Sequence, residues 1–134
     1  MDIADQLRLA RKSAAEQKLL ISELNSLLKD IERCERLIQD LKTELEKINT
    51  QHRGPRTTRE DIAYLTDLLA CAKKKLNWEK QLASLQKRTP LALERLANLL
   101  HDPKNPPNEE TRTAMLRVLQ QIQATMERLQ AAAG

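Results

Sequence analysis

Between Leu20 and Ile48 the apolar positions Leu20, Leu24, Leu27, Ile31, Cys34, Ile38, Leu41, Leu45 and Ile48 follow one another at spacings of 4-3-4-3-4-3-4-3. A repeat of 3.5 residues keeps one stripe of a helix turned toward a partner helix, so this run predicts a coiled-coil seam. No polar residue interrupts it. Charges occupy the flanks, where Glu32, Arg36 and Asp40 alternate in sign at four-residue steps and support the helix from its surface. Upstream, Ile3, Leu7, Ala10, Ala14 and Ile21 form a thinner stripe rotated from the main one. With its alanines it admits a close neighbour, but it has less apolar area to bury.

The pattern breaks over Asn49 to Arg56, where Gly54-Pro55 punctuates the chain. Thr57 followed by Glu60 is a capping box, so a second helix is expected from there to about Arg88. It carries two stripes. One is Ile62, Leu65, Leu69, Ala72 and Leu76; the other is Tyr64, Leu68, Cys71, Trp78, Leu82 and Leu85, interrupted by Lys75. Two adjacent stripes predict contact with at least two neighbours. The short break between two long helices predicts an antiparallel hairpin.

Thr89-Pro90 reads as the N-cap and first residue of a short third helix containing Leu91, Leu93, Leu96, Leu99 and Leu100 and ending near His101-Asp102. Residues 102–108, with three prolines, read as a linker. Asn108 is placed to cap a fourth helix, with Glu109 and Glu110 in the first turn where the dipole favours anions. Its stripe is Met115, Leu119, Ile122, Met126 and Leu129, broadened by Leu116 and Val118, and the terminal Ala-Ala-Ala-Gly is expected to fray.

The expected architecture is therefore all-α: an elongated antiparallel hairpin with two further C-terminal helices. Residues 1–101 hold the hairpin and the short third helix, and residues 109–134 a C-terminal helix packed on the hairpin. The third helix is expected as a kinked continuation of the second, beside the N-terminal segment. The fourth is expected to return over Trp78, Leu82 and Leu85.

Composition agrees. Leucine and alanine dominate, phenylalanine is absent, Val118 is the single valine, and Gly54 and Gly134 are the only glycines. Strands and tight hairpin turns lack their usual residues. No apolar run approaches the ~18 residues of a membrane span. The acidic Met-Asp-Ile-Ala-Asp start lacks the apolar core of a secretion signal. Cys34 and Cys71 lie in helical patterns without framework spacing, which points to free thiols in a cytoplasmic or nuclear protein rather than a disulfide.

Catalysis needs tuned groups converging in a pocket. His52 falls in a polar basic loop and His101 at a helix end, where a cation suits the negative dipole terminus. No paired Cys or His spacing offers a metal site, one internal glycine cannot build a phosphate loop, and the four serines fall on helical surfaces or loops. The carboxylate pairs Glu32/Glu35 and Asp40/Glu44 sit among Arg33, Arg36 and Lys42 and read as solvated charges. The expectation is a protein without catalytic, cofactor or metal residues.

Charge is uneven along the chain. Residues 50–101 hold 10 Lys+Arg against 5 Asp+Glu, while residues 1–49 hold 9 against 10 and residues 102–134 hold 4 against 4. Arg53, Arg56 and Arg59 near the hairpin tip and Lys73, Lys74, Lys75, Lys80, Lys87 and Arg88 along the second helix make up the excess. Three consecutive lysines point different ways around a helix, so a solvated face competes with a binding patch for an acidic polymer or surface: nucleic acid, tubulin tails or an anionic membrane. Tyr64 and Trp78 lie on an apolar stripe, which leaves no stacking platform for single-stranded nucleic acid. Trp78 is expected in the core, with an exposed anchor as the alternative. The leading expectation is a helical scaffold or adaptor, a homo- or hetero-oligomeric subunit that binds other proteins through helix packing. The seam residues and Trp78, Leu82 and Leu85 are its expected contact set.

Overall fold

The computed structural model describes residues 2–134 as three α-helices, with no strand among them: α1 (Ile3–Gln51), α2 (Thr58–Leu100) and α3 (Glu109–Ala133). At 1.5 Å per residue, the 49 residues of α1 make a rod of about 73 Å. Each helix starts on a side-chain cap: Asp2, Thr57 and Asn108 accept from the backbone N–H of Asp5, Glu60 and Thr111 respectively. Gly54, at φ 88, supplies the left-handed residue of the turn between α1 and α2.

The α1–α2 pair is the expected antiparallel hairpin, and its register is visible in polar contacts along one edge. Asp67, Lys74, Arg88 and Arg95 share one heptad position of α2 and meet His52, Glu44, Asp30 and Glu23 of α1 at 3.5, 2.7, 3.0 and 3.0 Å. Partners on both helices recur at steps of about seven, which is how a 3.5-residue repeat keeps two helices in phase. Inside that edge, Leu20, Leu24, Leu27, Ile31, Cys34, Ile38, Leu41 and Ile48 are buried and Leu45 is half-buried. From α2 come Cys71, Trp78, Leu85, Leu96 and Leu100, with Leu82 half-buried.

Two expectations are corrected here. The chain does not break at Thr89-Pro90; α2 runs through Pro90 to Leu100, so two C-terminal helices become one. Proline lacks the N–H that would bond the carbonyl of Gln86, a local cost. The seam Leu85, Thr89, Ala92, Leu96 and Leu99 nevertheless continues at 4-3-4-3 across it, and burial of that seam outweighs the missing bond. Thr89 is then a buried helix-interior residue whose hydroxyl has no hydrogen-bond partner, not a cap. Secondly, α3 lies chiefly along α1 and touches α2 only sparsely, rather than returning over Trp78, Leu82 and Leu85.

The face that α3 buries is Met115, Val118, Ile122, Thr125, Leu129 and Ala132, again at 3-4 spacing. Ala132 is buried and the helix holds to Ala133, so the end is held in the helix through Ala132 rather than frayed. Leu20, Leu24, Ile31, Cys34 and Ile38, at 2 % exposure or less, are covered so completely because α1 has a neighbour on two sides. The linker is pinned at both ends of its turn. Asp102 accepts from the N–H of Lys104 and Asn105, and buried Gln17 donates its Nε2 to the Asn105 carbonyl at 3.1 Å.

Candidate functional site

The three helices differ in length, and the mismatch creates the surface of interest. The Gln17–Asn105 bond and the Arg128–Glu35 pair (3.4 Å) show α3 running parallel to α1. Counting forward at equal rise, Ala133 falls about level with Asp40 of α1. The polar register of the hairpin sets Trp78 of α2 at about the same level. The molecule therefore has a three-helix segment and, beyond the end of α3, a two-helix arm made of residues 41–51 and 58–77. At the opposite end, residues 3–16 of α1 project past the level of Leu100 by about 20 Å. Ile3, Leu7, Leu9, Ala10 and Ala14 are exposed there.

The arm decides the fate of the two stripes on α2. Tyr64, Leu68 and Cys71 turn toward α1 and are half-buried or buried. The other stripe has no neighbour: Ile62, Leu65, Leu69 and Leu76 are 58–62 % exposed. α2 does contact two neighbours, α1 and, sparsely, α3, but only one of its stripes is covered by them. Heptad phase explains which side the open stripe faces. Leu65 and Ala72 share their position with Gln86 and Leu93, and Leu76 shares its own with Pro90; Gln86, Pro90 and Leu93 line the groove between α2 and α3 beside Ile122 and Met126. The exposed ridge is the continuation, past the end of α3, of the side of α2 that borders its groove with α3.

The structure sorts the basic residues into used and unused. Lys74 points to α1, where its ammonium binds Glu44 at 2.7 Å; that hydrogen bond raises the Lys74 pKa above its ordinary value. Arg88 is held by Asp30. Arg56 pairs with Asp61 at 3.0 Å, donates to the His52 carbonyl and lies 4.3 Å from the Tyr64 ring centroid, so it closes the hairpin tip. The tip is further tied by the Tyr64 hydroxyl donating to Asn49. Lys73, Lys75, Lys80, Arg53, Arg59 and Lys87 are exposed. By heptad position, Arg59, Thr66, Lys73 and Lys80 run along one border of the open ridge, and Asp61, Leu68 and Lys75 along the other. The three consecutive lysines do diverge, but the outer two straddle one apolar strip.

Trp78 lies in the core, its indole N–H unpartnered, and the Cys34 thiol donates to the Trp78 carbonyl at 3.7 Å. Both cysteines are free and buried; burial pushes both thiols up, and neighbouring Glu44 pushes Cys71 further. His52 and His101 are the C-cap residues of α1 and α2. No cluster of three or more His, Cys, Asp or Glu side chains suited to a metal occurs among the described residues, and no helix among them is long and apolar enough to cross a membrane. Comparison of the chain with protein-family models, with curated proteins and with solved structures finds no match.

Gln17, the linker clasp, is one site residue that composition alone does not reveal. Its signal is positional: it continues the stripe Ile3, Leu7, Ala10, Ala14 toward Ile21, where an apolar residue would be expected.

Proposed function

We propose that this chain is a non-enzymatic helical scaffold or adaptor that joins a larger assembly by offering unfilled seam to helices of partner proteins. One observation carries the reading: four large aliphatic side chains at coiled-coil spacing, Ile62, Leu65, Leu69 and Leu76, stand in water beside the buried stripe of Cys71, Trp78 and Leu85. Burying a whole Leu or Ile is worth about 1.5–3 kcal/mol. With more than half of each still exposed, docking a helix recovers on the order of 1–2 kcal/mol per side chain before the cost of association. The unpartnered N-terminal overhang offers a second, weaker surface of the same kind. Two buried thiols suit a reducing compartment, cytoplasm or nucleus.

A second reading has its own support. Arg59, Lys73 and Lys75, exposed on the arm, and Lys80 just beyond it also suit an acidic polymer or an anionic surface. Salt separates the two, because phosphate-driven binding weakens steeply with ionic strength while apolar helix pairing does not.

The test pairs two substitutions. Leu65→Asp with Leu69→Asp charges the exposed ridge, and Ile38→Asp charges the core. We expect the double variant to keep its helicity and melting temperature while losing association with partner proteins or with itself, measured by co-purification and by sedimentation. We expect Ile38→Asp to unfold the chain. A double variant that associates like the unmodified chain contradicts the proposal.

A further inference from the structure

We infer that the open ridge of the arm receives an amphipathic α-helix from another protein whose flanking positions are acidic. This deepens the scaffold reading and rests on it. The ridge Ile62, Leu65, Leu69, Ala72, Leu76 has the 3-4-3-4 spacing of a coiled-coil seam and a length of about 21 Å, so it fits one helix of at least two heptads. It continues the side of α2 that borders the groove with α3, so an incoming helix would sit beyond the end of α3 and extend the three-helix packing along the arm.

Charge selects the occupant. In helix pairs the positions bordering the seam set partner choice. Here one border holds Arg59, Lys73 and Lys80, and the other holds Lys75 against Asp61. Lys74, which would complicate the pattern, is turned away and bound to Glu44. A second copy laid on this ridge sets a lysine-rich border against the same border when antiparallel, or Lys73 near Lys75 when parallel. The antiparallel arrangement also pairs Asp61 with Lys75, but four bordering cations against one carboxylate on each copy leave the two ridges repelling on net charge. A partner with Glu or Asp at its bordering positions meets opposite charge along the Arg59, Lys73 and Lys80 edge and at Lys75 on the other. A lipid surface is the poorer fit: the apolar strip is narrow, two heptad positions wide, and Tyr64, the arm's one aromatic, is engaged by Asn49, His52 and Arg56.

The inference is tested on the full chain with two labelled synthetic helices of about three heptads, both with Leu at the seam positions. One carries Glu at the bordering positions and the other Lys, so neither pairs well with itself. Phosphatidylcholine–phosphatidylserine vesicles form a third arm. We expect the Glu-bordered helix to bind at least about tenfold more tightly than the Lys-bordered one. The preference should invert in the triple variant Lys73→Glu, Lys75→Glu, Lys80→Glu. Both peptides should lose binding to the Leu65→Asp, Leu69→Asp variant, with melting unchanged in each case. Equal affinity for the two peptides, preference for the Lys-bordered one, no binding at about 100 μM, or binding to vesicles in place of peptide overturns the inference. Self-association that disappears in the Leu65→Asp, Leu69→Asp variant also overturns it, while leaving the scaffold reading standing.

Discussion

Ile38 and Leu69 are both branched aliphatic residues in coiled-coil-spaced seams, yet Ile38 is 2 % exposed and Leu69 58 %. The difference lies in their neighbours: Ile38 is covered within a three-helix section, and Leu69 sits where only two helices run. Substitution by Asp should therefore cost several kcal/mol at Ile38, where a charge would be stranded in a dry core, and almost nothing at Leu69. Circular-dichroism melts of the two single variants check this. The thiols offer a second residue-scale prediction. Burial raises the pKa of Cys34 and Cys71 above the ordinary 9.0, so the folded chain favours the protonated form. That preference contributes fully below pH 9.0 and is lost as pH climbs through the raised values, so alkaline solution should destabilise the fold. At neutral pH, thiol reagents should label neither cysteine until denaturant is added. Rapid labelling of the native chain would contradict their placement.

At the scale of elements, Pro90 is the instructive case. A proline inside α2 leaves the Gln86 carbonyl without its helical donor, and its ring is exposed, so packing offsets little of the loss. Pro90→Ala should stabilise the chain by about 1–3 kcal/mol, read from urea denaturation midpoints. A lower midpoint would mean the ring contributes to the groove between α2 and α3. The same residue marks how far the sequence was legible. Signals that act within one turn were readable: the caps Thr57 and Asn108, the break at Gly54-Pro55, and the unbroken seam from Leu20 to Ile48. Thr89-Pro90 is also a strong local stop, but it lost to the non-local burial of Leu96 and Leu100, which no short window reveals. The ridge Ile62 to Leu76 was visible as a pattern. Its lack of a neighbour was not, because that depends on α3 choosing α1 and on where α3 ends. For Lys73, Lys74 and Lys75 the sequence supplied the cluster, and only the Glu44 contact showed which one is committed to the hairpin.

As a whole the molecule is a rod in three zones: an isolated helix end, a three-helix middle and a two-helix arm. Covered backbone opens least, so amide hydrogen exchange should rank these zones. Residues 3–16 should exchange first, then the arm, and the seam around Leu24 and Ile31 last. Uniform protection along α1 would contradict the zoning. Under the same zoning the arm keeps one face uncovered, the face on which the proposed helix docking rests. Its inner seam holds it together through Leu41, Ile48, Cys71 and the tip contacts of Tyr64, while its outer ridge is spare.

That spare ridge is best interrogated where it acts. A photo-crosslinking amino acid placed at Leu69, with a matched control at exposed Gln120 on α3, reports in living cells what lies against each position. We predict a discrete crosslinked partner from position 69 that is absent from position 120 and lost when Leu65 is changed to Asp. A position 69 that yields no adduct, or only the adducts seen at position 120, would contradict the claim that this face exists to be covered.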